Sequence, residues 1–258
     1  MTPPKVDFHI HTKYLGCANQ TMKIPAIITE CERLGIHTLG ITDHLNTIDQ
    51  LPKHAPILED IKNLTTDIRI YFGVELNFTG CDEDFVYNEN IIRQGGFQFA
   101  IGGIHSAYTA EYNVPKIIEI QHRHHLKTCE NPLVRILVHP YWFSENQFKE
   151  HGWRPISSVK VVPESFTREL GQVAKATGTA IEINACANLR KSHLSHAYVE
   201  AYFEYLSILE AEGVMFALGS DAHDINELAE IRESWRMAER LNLTEDRIWQ
   251  PEGEPINH

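Results

Sequence analysis

VDFHIHTKYLGC, residues 6–17, sets two histidines one residue apart at the end of an apolar run. Successive side chains of a strand point to opposite faces, so His9 and His11 share a face, roughly 6–7 Å apart. Two neutral imidazoles side by side can hold one divalent metal. Two ordinary histidines near a terminus would read the same way, so the rest of the chain has to separate the two.

Working outward, short apolar runs recur at 6–10, 36–42, 69–75, 97–104, 134–138, 179–183 and 214–219. Each is rich in Ile, Val, Leu and Phe and predicts a strand. Helical spacing is found between them, at 24–35, 56–66, 114–128, 163–177, 196–212 and 225–241. Pro25 suits a first helical turn and Gly35 the position just past a helix end. Asp224 and Glu227 have the spacing of a capping box. Strands alternating with helices imply parallel βαβ units, and nearly continuous apolar strands imply a sheet covered on both faces. A single closed or nearly closed α/β barrel fits best; a doubly wound open sheet predicts the same alternation. Residues 76–96 and 140–162 read as irregular excursions over one face. One domain over 1–243 is expected, with 244–258 as a tail.

The strand ends carry the chemistry. His9 and His11 end the first, Asp43 and His44 the second, Glu75 the third, His105 the fourth and His139 the fifth. The sixth carries Glu182 and ends in Asn184; the seventh leads to Asp221 and His223. In a parallel barrel these ends open onto one mouth, where active sites are built. Imidazoles and carboxylates without a Cys₄ cage suit Zn²⁺, Mn²⁺ or Fe²⁺ with positions open to water and substrate. The donors outnumber what one ion can use, which predicts two or three divalent ions.

In order, the segments DFHIHT, GITDH, GVELNF, GGIHS, LVHPYW, IEINA and LGSDAH resemble the motifs of the PHP (polymerase and histidinol phosphatase) superfamily, from Val6 to about Leu241. The resemblance implies a distorted (β/α)₇ TIM-like barrel. It also implies hydrolysis of a phosphate ester by a metal-activated hydroxide at a di- or trinuclear site. It assigns His9 and His11 to one metal, with Asp221 completing or bridging that position and Glu75 bridging to a neighbour. His44 and His223 fall to a second metal, and His105 and His139, with Glu75, to a third. Many relatives place a further His or Asp where this chain has Cys17, whose thiolate is a competent zinc ligand. Asp221 is the candidate for positioning the attacking water, and His223 or Asp43 for protonating the leaving alcohol. Arg190 or Lys191 in NLRKSH are candidates for gripping the phosphate, with Arg154 on weaker grounds.

Other features read as structural. Asp7 and Asp43 suit supporting hydrogen bonds better than ligation. His122 and His125 in QHRHHLK are one helical turn apart, but lie mid-helix and are expected on a solvated face. The aromatic positions of AYVEAYFEYLSIL suit core and rim packing.

Bulk properties narrow the partners. The 258 residues are 43% hydrophobic and carry a formal charge of −12. That permits a sizeable core and argues against non-specific binding to nucleic acid or anionic membrane. Five cysteines in no disulfide or CxxC pattern suggest a reducing compartment. The opening residues lack the basic and apolar regions of a secretory signal. A soluble cytoplasmic enzyme acting on a small phosphomonoester, of the histidinol-phosphate type, is expected. The alternatives are a phosphodiesterase or exonuclease of the same superfamily, an amidohydrolase-type barrel, and a non-catalytic metal-binding module.

Overall fold

A computed structural model describes residues 3–190 and 194–257. Its frame is one parallel sheet in sequence order: β1 (Val6–Ile10), β2 (Thr38–Ile41), β3 (Arg69–Asn77), β4 (Phe99–Gly103), β5 (Ile136–Leu137), β6 (Ala180–Asn184) and β7 (Phe216–Gly219). Every predicted strand is present, at matching or shorter length apart from β3. All but the first and last residues of β3 are buried, as are all residues of the other six, which is why no polar alternation marks them in the sequence.

The first and last strands close the sheet into a distorted (β/α)₇ barrel. The Asp221 amide donates to the His9 carbonyl at 2.8 Å and the His11 amide to Ala222 at 3.3 Å. Lower down, the Asp7 carboxylate substitutes for a ladder carbonyl and accepts from the Ser220 amide at 2.9 Å. The connecting helices are α1 (Ile24–Leu34), α2 (Ala55–Lys62), α3 (Glu89–Gly95), α4 (Val114–Glu130), α5 (Glu145–Glu150), α6 (Glu164–Thr177), α7 (Ala185–Asn188), α8 (His196–Glu212) and α9 (Ile231–Arg240). Pro25 opens α1 and Gly35 caps its end at φ 76°. The Asp224–Glu227 capping box starts a 3₁₀ turn, Ile225–Glu230, that runs into α9, so 225–241 is two helical pieces. The stretches read as irregular contain α3 and α5.

The bottom of the barrel is filled by aromatic rings. A Cβ on Gly40 or Gly73 would lie 2.7 or 2.6 Å from Phe99, so both glycines leave room for that ring. The 244–257 stretch is strapped across this end. The Trp249 amide donates to Phe216 at 2.7 Å and the Ile256 amide to Ile70 at 2.9 Å. The Trp249 ring meets Phe8 and Phe99 with centroids 5.1 and 5.2 Å away. No helix among the described residues is long and apolar enough to cross a membrane.

The α4 histidines are not solvated. His122, His124 and His125 are buried: α6 brings Phe166 and Glu169 against His122, Phe78 and Tyr108 pack on His124, and Tyr141 packs on His125. Tyr198, Tyr202 and Tyr205 of α8 are buried, as their spacing predicts.

Candidate metal centre

Glu75 of β3, opposite His44 just beyond the end of β2, is the centre of the site. Its Oε2 lies 3.3 Å from Nε2 of both His9 and His11 and 2.9 Å from His44 Nδ1. Its Oε1 lies 3.0 Å from His105 Nε2 and 3.1 Å from His139 Nε2. Five imidazoles from four strand ends therefore share one buried carboxylate. Burial alone would raise the Glu75 pKa, but His44, His9 and His105 hold it well below the usual carboxylate range.

Asp221 closes the cluster from the β7 side, with Oδ1 3.5 Å from His9 Nε2 and 3.4 Å from His11 Nε2. Against its burial, His9, His11 and His223 hold it well below the usual range. The His223 ring stacks on His11 at 4.2 Å. Cys17 Sγ is 3.8 Å from His11 Nδ1. Donor atoms fall into three groups, each within 4.8 Å: His9, His11 and Asp221; His44, Glu75 and His105; and His11, Cys17, His44 and His223.

The loop carrying Cys17 is tied down, with Lys13 N–H donating to Met22 at 3.0 Å and Asn19 N–H to His223 at 2.9 Å. Two ligand candidates, His139 and Asp221, have positive φ, 28° and 57°. Such left-handed geometry is unusual for residues with a Cβ and persists where surroundings over-determine it.

Glu182 organises the centre from behind. Its Oε1 accepts from His9 Nδ1 at 2.7 Å, which turns Nε2 toward Glu75 and Asp221, where it would ligate a cation. Its Oε2 accepts from the His139 amide at 2.7 Å and from Asn184 Nδ2 at 2.9 Å. Burial opposes a charge on His9, yet Glu182, Asp221 and Glu75 hold its pKa well above the usual imidazole value. His105, by contrast, is pushed down to about 4 by burial. Sequence reading noted Glu182 on the sixth strand without a partner; an acid two residues before a strand's polar end is the signal it offers.

The donor set fits a divalent cation. Glu75 Oε2 makes no hydrogen bond although three imidazole nitrogens surround it. Hard oxygen and borderline nitrogen donors converging in this way are what Zn²⁺, Mn²⁺ or Fe²⁺ bind. A cavity of about 300 Å³ opens over the cluster, walled by His44, His105, His139, Asp221 and His223 and, on the outer side, by Trp142, Cys186 and Glu227. Glu227 Oε2 accepts from the amides of His223 and Asp224, so the capping residue also fixes the His223 backbone.

Three candidates sit elsewhere. Asp43 is fully buried and accepts from the Thr12 amide at 3.0 Å; it does not line the cavity, so it holds the β1 end in place and is not placed to protonate a leaving group. Arg190 is off the cavity wall because its guanidinium pairs with Glu230. Arg154 is exposed and also off the wall. Lys191 lies outside the described residues.

A profile of the PHP domain matches residues 7–140, just over half of the chain. The matched stretch runs from Asp7 through His139 and so contains Glu75 and its five imidazoles. The crystal structure of a candidate histidinol phosphatase from Listeria monocytogenes superposes with a TM-score of 0.60 at 14% identity, covering 87% of this chain and 97% of that one. At that identity the likeness speaks for the fold. By the extent of the profile match, this chain belongs to the PHP domain family.

Proposed function

We propose that the chain is a metal-dependent phosphoesterase that hydrolyses a small phosphomonoester, as the description of its Listeria structural neighbour suggests. The reading rests on one observation above the others: a single buried carboxylate, Glu75, shared by five imidazoles beneath an open cavity. Bound divalent ions supply Lewis acidity, bring the pKa of a coordinated water toward neutrality and offset charge on the phosphate.

The protein's own residues do the rest. His9, His11 and Asp221 would hold one ion. His44 and His223, with Cys17, would hold a second. His105 and His139, with Glu75, would hold a third. Glu182 fixes the tautomer and ring direction of His9. Asp221 stays ionised and is the acceptor that orients the attacking water in line with phosphorus. His223, about one third exposed, stands at the mouth; a ring with Nδ1 on the Asp221 carbonyl and Nε2 given to an ion has no proton to donate, so the leaving alcohol takes its proton from solvent there.

Among the described residues, no Arg or Lys lines the cavity, so recognition of the phosphate falls to the ion-holding cluster. Trp142 offers an aromatic wall to the remainder of the substrate.

The test is turnover of an aryl phosphomonoester beside its bis-aryl diester, before and after exhaustive chelation. Preferential monoester hydrolysis that chelation abolishes and metal restores is expected. Activity that survives chelation would sink the reading, and preference for the diester would replace the monoester assignment.

A further inference from the structure

His139 reaches Glu75 from a segment that the sheet holds only briefly, since β5 is Ile136–Leu137. Past it, His139 and Tyr141 both take positive φ, 28° and 53°, on either side of Pro140. Neither is glycine, so this turn has to be held by what surrounds it.

The holding groups come from the helices behind. Gln121 of α4 donates from Nε2 to the Trp142 carbonyl at 2.9 Å. The neighbouring His122 meets the buried Tyr141 hydroxyl through Nδ1 at 3.0 Å and Glu169 of α6 through Nε2 at 3.0 Å. With Nε2–H donating to the carboxylate, Nδ1 accepts the tyrosine proton, so Glu169 fixes the tautomer that Tyr141 requires. The His122 ring lies flat on Phe166, 4.1 Å between centroids and 8° between planes, and His125 sets its ring against Tyr141 at 4.6 Å. Phenylalanine at 141 would fill the same space without burying a hydroxyl. What the hydroxyl adds is direction.

We propose that Glu169, His122 and Tyr141 form a buttress that sets the place of His139 in the metal centre. His122 and Tyr141 are positioning residues: they touch no substrate and act through the 139–142 turn. The inference rests on His139 being a metal ligand, and the experiment separates the two claims.

Full-length protein is stripped of metal and titrated with cobalt(II) against a competing chelator, giving an affinity for each equivalent bound. His139→Ala identifies the equivalent that depends on this residue. Tyr141→Phe, which keeps the ring, weakens that same equivalent by about 10–100-fold and leaves the others as they are. His122→Ala does the same, and the double variant is no worse than either single one, since both cut one chain of contacts. His122→Asn restores affinity, because its Oδ1 takes the place of Nδ1 as acceptor. Glu169→Gln, on the surface, gives a smaller loss at the same equivalent. A general packing role would lower thermal stability and all equivalents together, and Asn would not rescue it.

If Tyr141→Phe and Glu169→Gln bind every equivalent as native protein does while His139→Ala loses one, the buttress is wrong and the metal centre stands. If His139→Ala loses none, the ligand assignment and the buttress fall together. Should His122→Ala fail to fold, Tyr141→Phe and Glu169→Gln decide.

Discussion

Glu182 Oε1 stands 2.7 Å from His9 Nδ1, in a space that only glycine at 219 leaves open. A Cβ on Gly219 would come 2.1 Å from that oxygen and 2.7 Å from His9 Cβ. Carboxylate, imidazole and glycine thus come from three different strands to aim one ring nitrogen. Glu182→Gln keeps the shape and removes the charge. It is expected to lower metal affinity or turnover by about 10–100-fold with the fold intact. Gly219→Ala is expected to lower both, because the pair has to move apart. Parallel metal titration and circular dichroism of the two variants check this; native affinity in Glu182→Gln would remove Glu182 from the centre.

Glu75 belongs to one of the three donor groups and lies within 3.3 Å of an imidazole of each. Glu75→Gln is therefore expected to reduce the number of ions bound per chain by more than one, where His105→Ala affects one. Elemental analysis after dialysis distinguishes the cases. Metal that binds the native state alone also stabilises it, by about 2.7 kcal/mol at a free concentration of 100 times Kd. Chelation is expected to lower the melting temperature of native protein and to have little effect on Glu75→Gln.

Strand number and the residues at the mouth were legible because they depend on short-range pattern, whereas the pattern alone fitted a barrel and an open doubly wound sheet alike and the barrel came from the family resemblance. A buried parallel strand is an apolar run, and a ligand at its end interrupts that run. What was hidden depends on partners distant in sequence. Glu182 meets His9 across 173 positions. The QHRHHLK face looked solvated because it lies mid-helix, away from any strand end, whereas Phe166 of α6 covers His122 and Tyr141 covers His125. The 244–258 stretch, with two Pro, one Gly and four acidic residues, reads as a tail, whereas Trp249 and Ile256 are its points of attachment to the barrel. Arg190 was visible as a cation near the mouth, but its pairing with Glu230 was not.

Burial holds the His125 pKa well below its usual 6.5, with the nearby His122, His139 and His124 adding to the effect. The folded protein keeps this ring neutral while the unfolded chain takes up a proton below about pH 6.5. The unfolded state then binds more protons, so stability is full above that pH and falls as pH drops below it, by up to ~1.4 kcal/mol per pH unit for one site. His125→Leu removes this contribution. Chemical denaturation of native protein and variant between pH 7.5 and 5, a window of about one unit above and 1.5 below the unfolded value, is expected to show their difference shifting in favour of the variant as pH falls. A constant difference would mean that His125 does not titrate in this way.

Trp249 seals the end of the barrel opposite the metal centre, against Phe8 and Phe99. Trp249→Ala is expected to cost about 3 kcal/mol, near the lower end for loss of a large aromatic because the ring is only partly buried. The centre is built from the other ends of the strands, so metal content at temperatures well below the lowered melting point should equal that of native protein. Urea denaturation beside metal analysis tests both halves; loss of metal in a folded variant would show that the two ends are coupled.

Cys17 stands with His11, His44 and His223 in a group that could hold one ion through three nitrogens and a sulfur. A thiolate ligand has a spectroscopic consequence that imidazole and carboxylate lack. Cobalt(II)-loaded native protein is expected to show a thiolate-to-cobalt charge-transfer band in the near ultraviolet, and Cys17→Ser to lack it while binding one equivalent more weakly. The thiol is exposed and its loop is tied by backbone bonds from Lys13 and Asn19, so the substitution should leave the fold unchanged. Cys186, on the cavity wall, is the control: Cys186→Ser is expected to keep the band. A band that persists in Cys17→Ser and disappears in Cys186→Ser would move the sulfur ligand to the other side of the cavity. No band in native protein would leave the second position to His44 and His223.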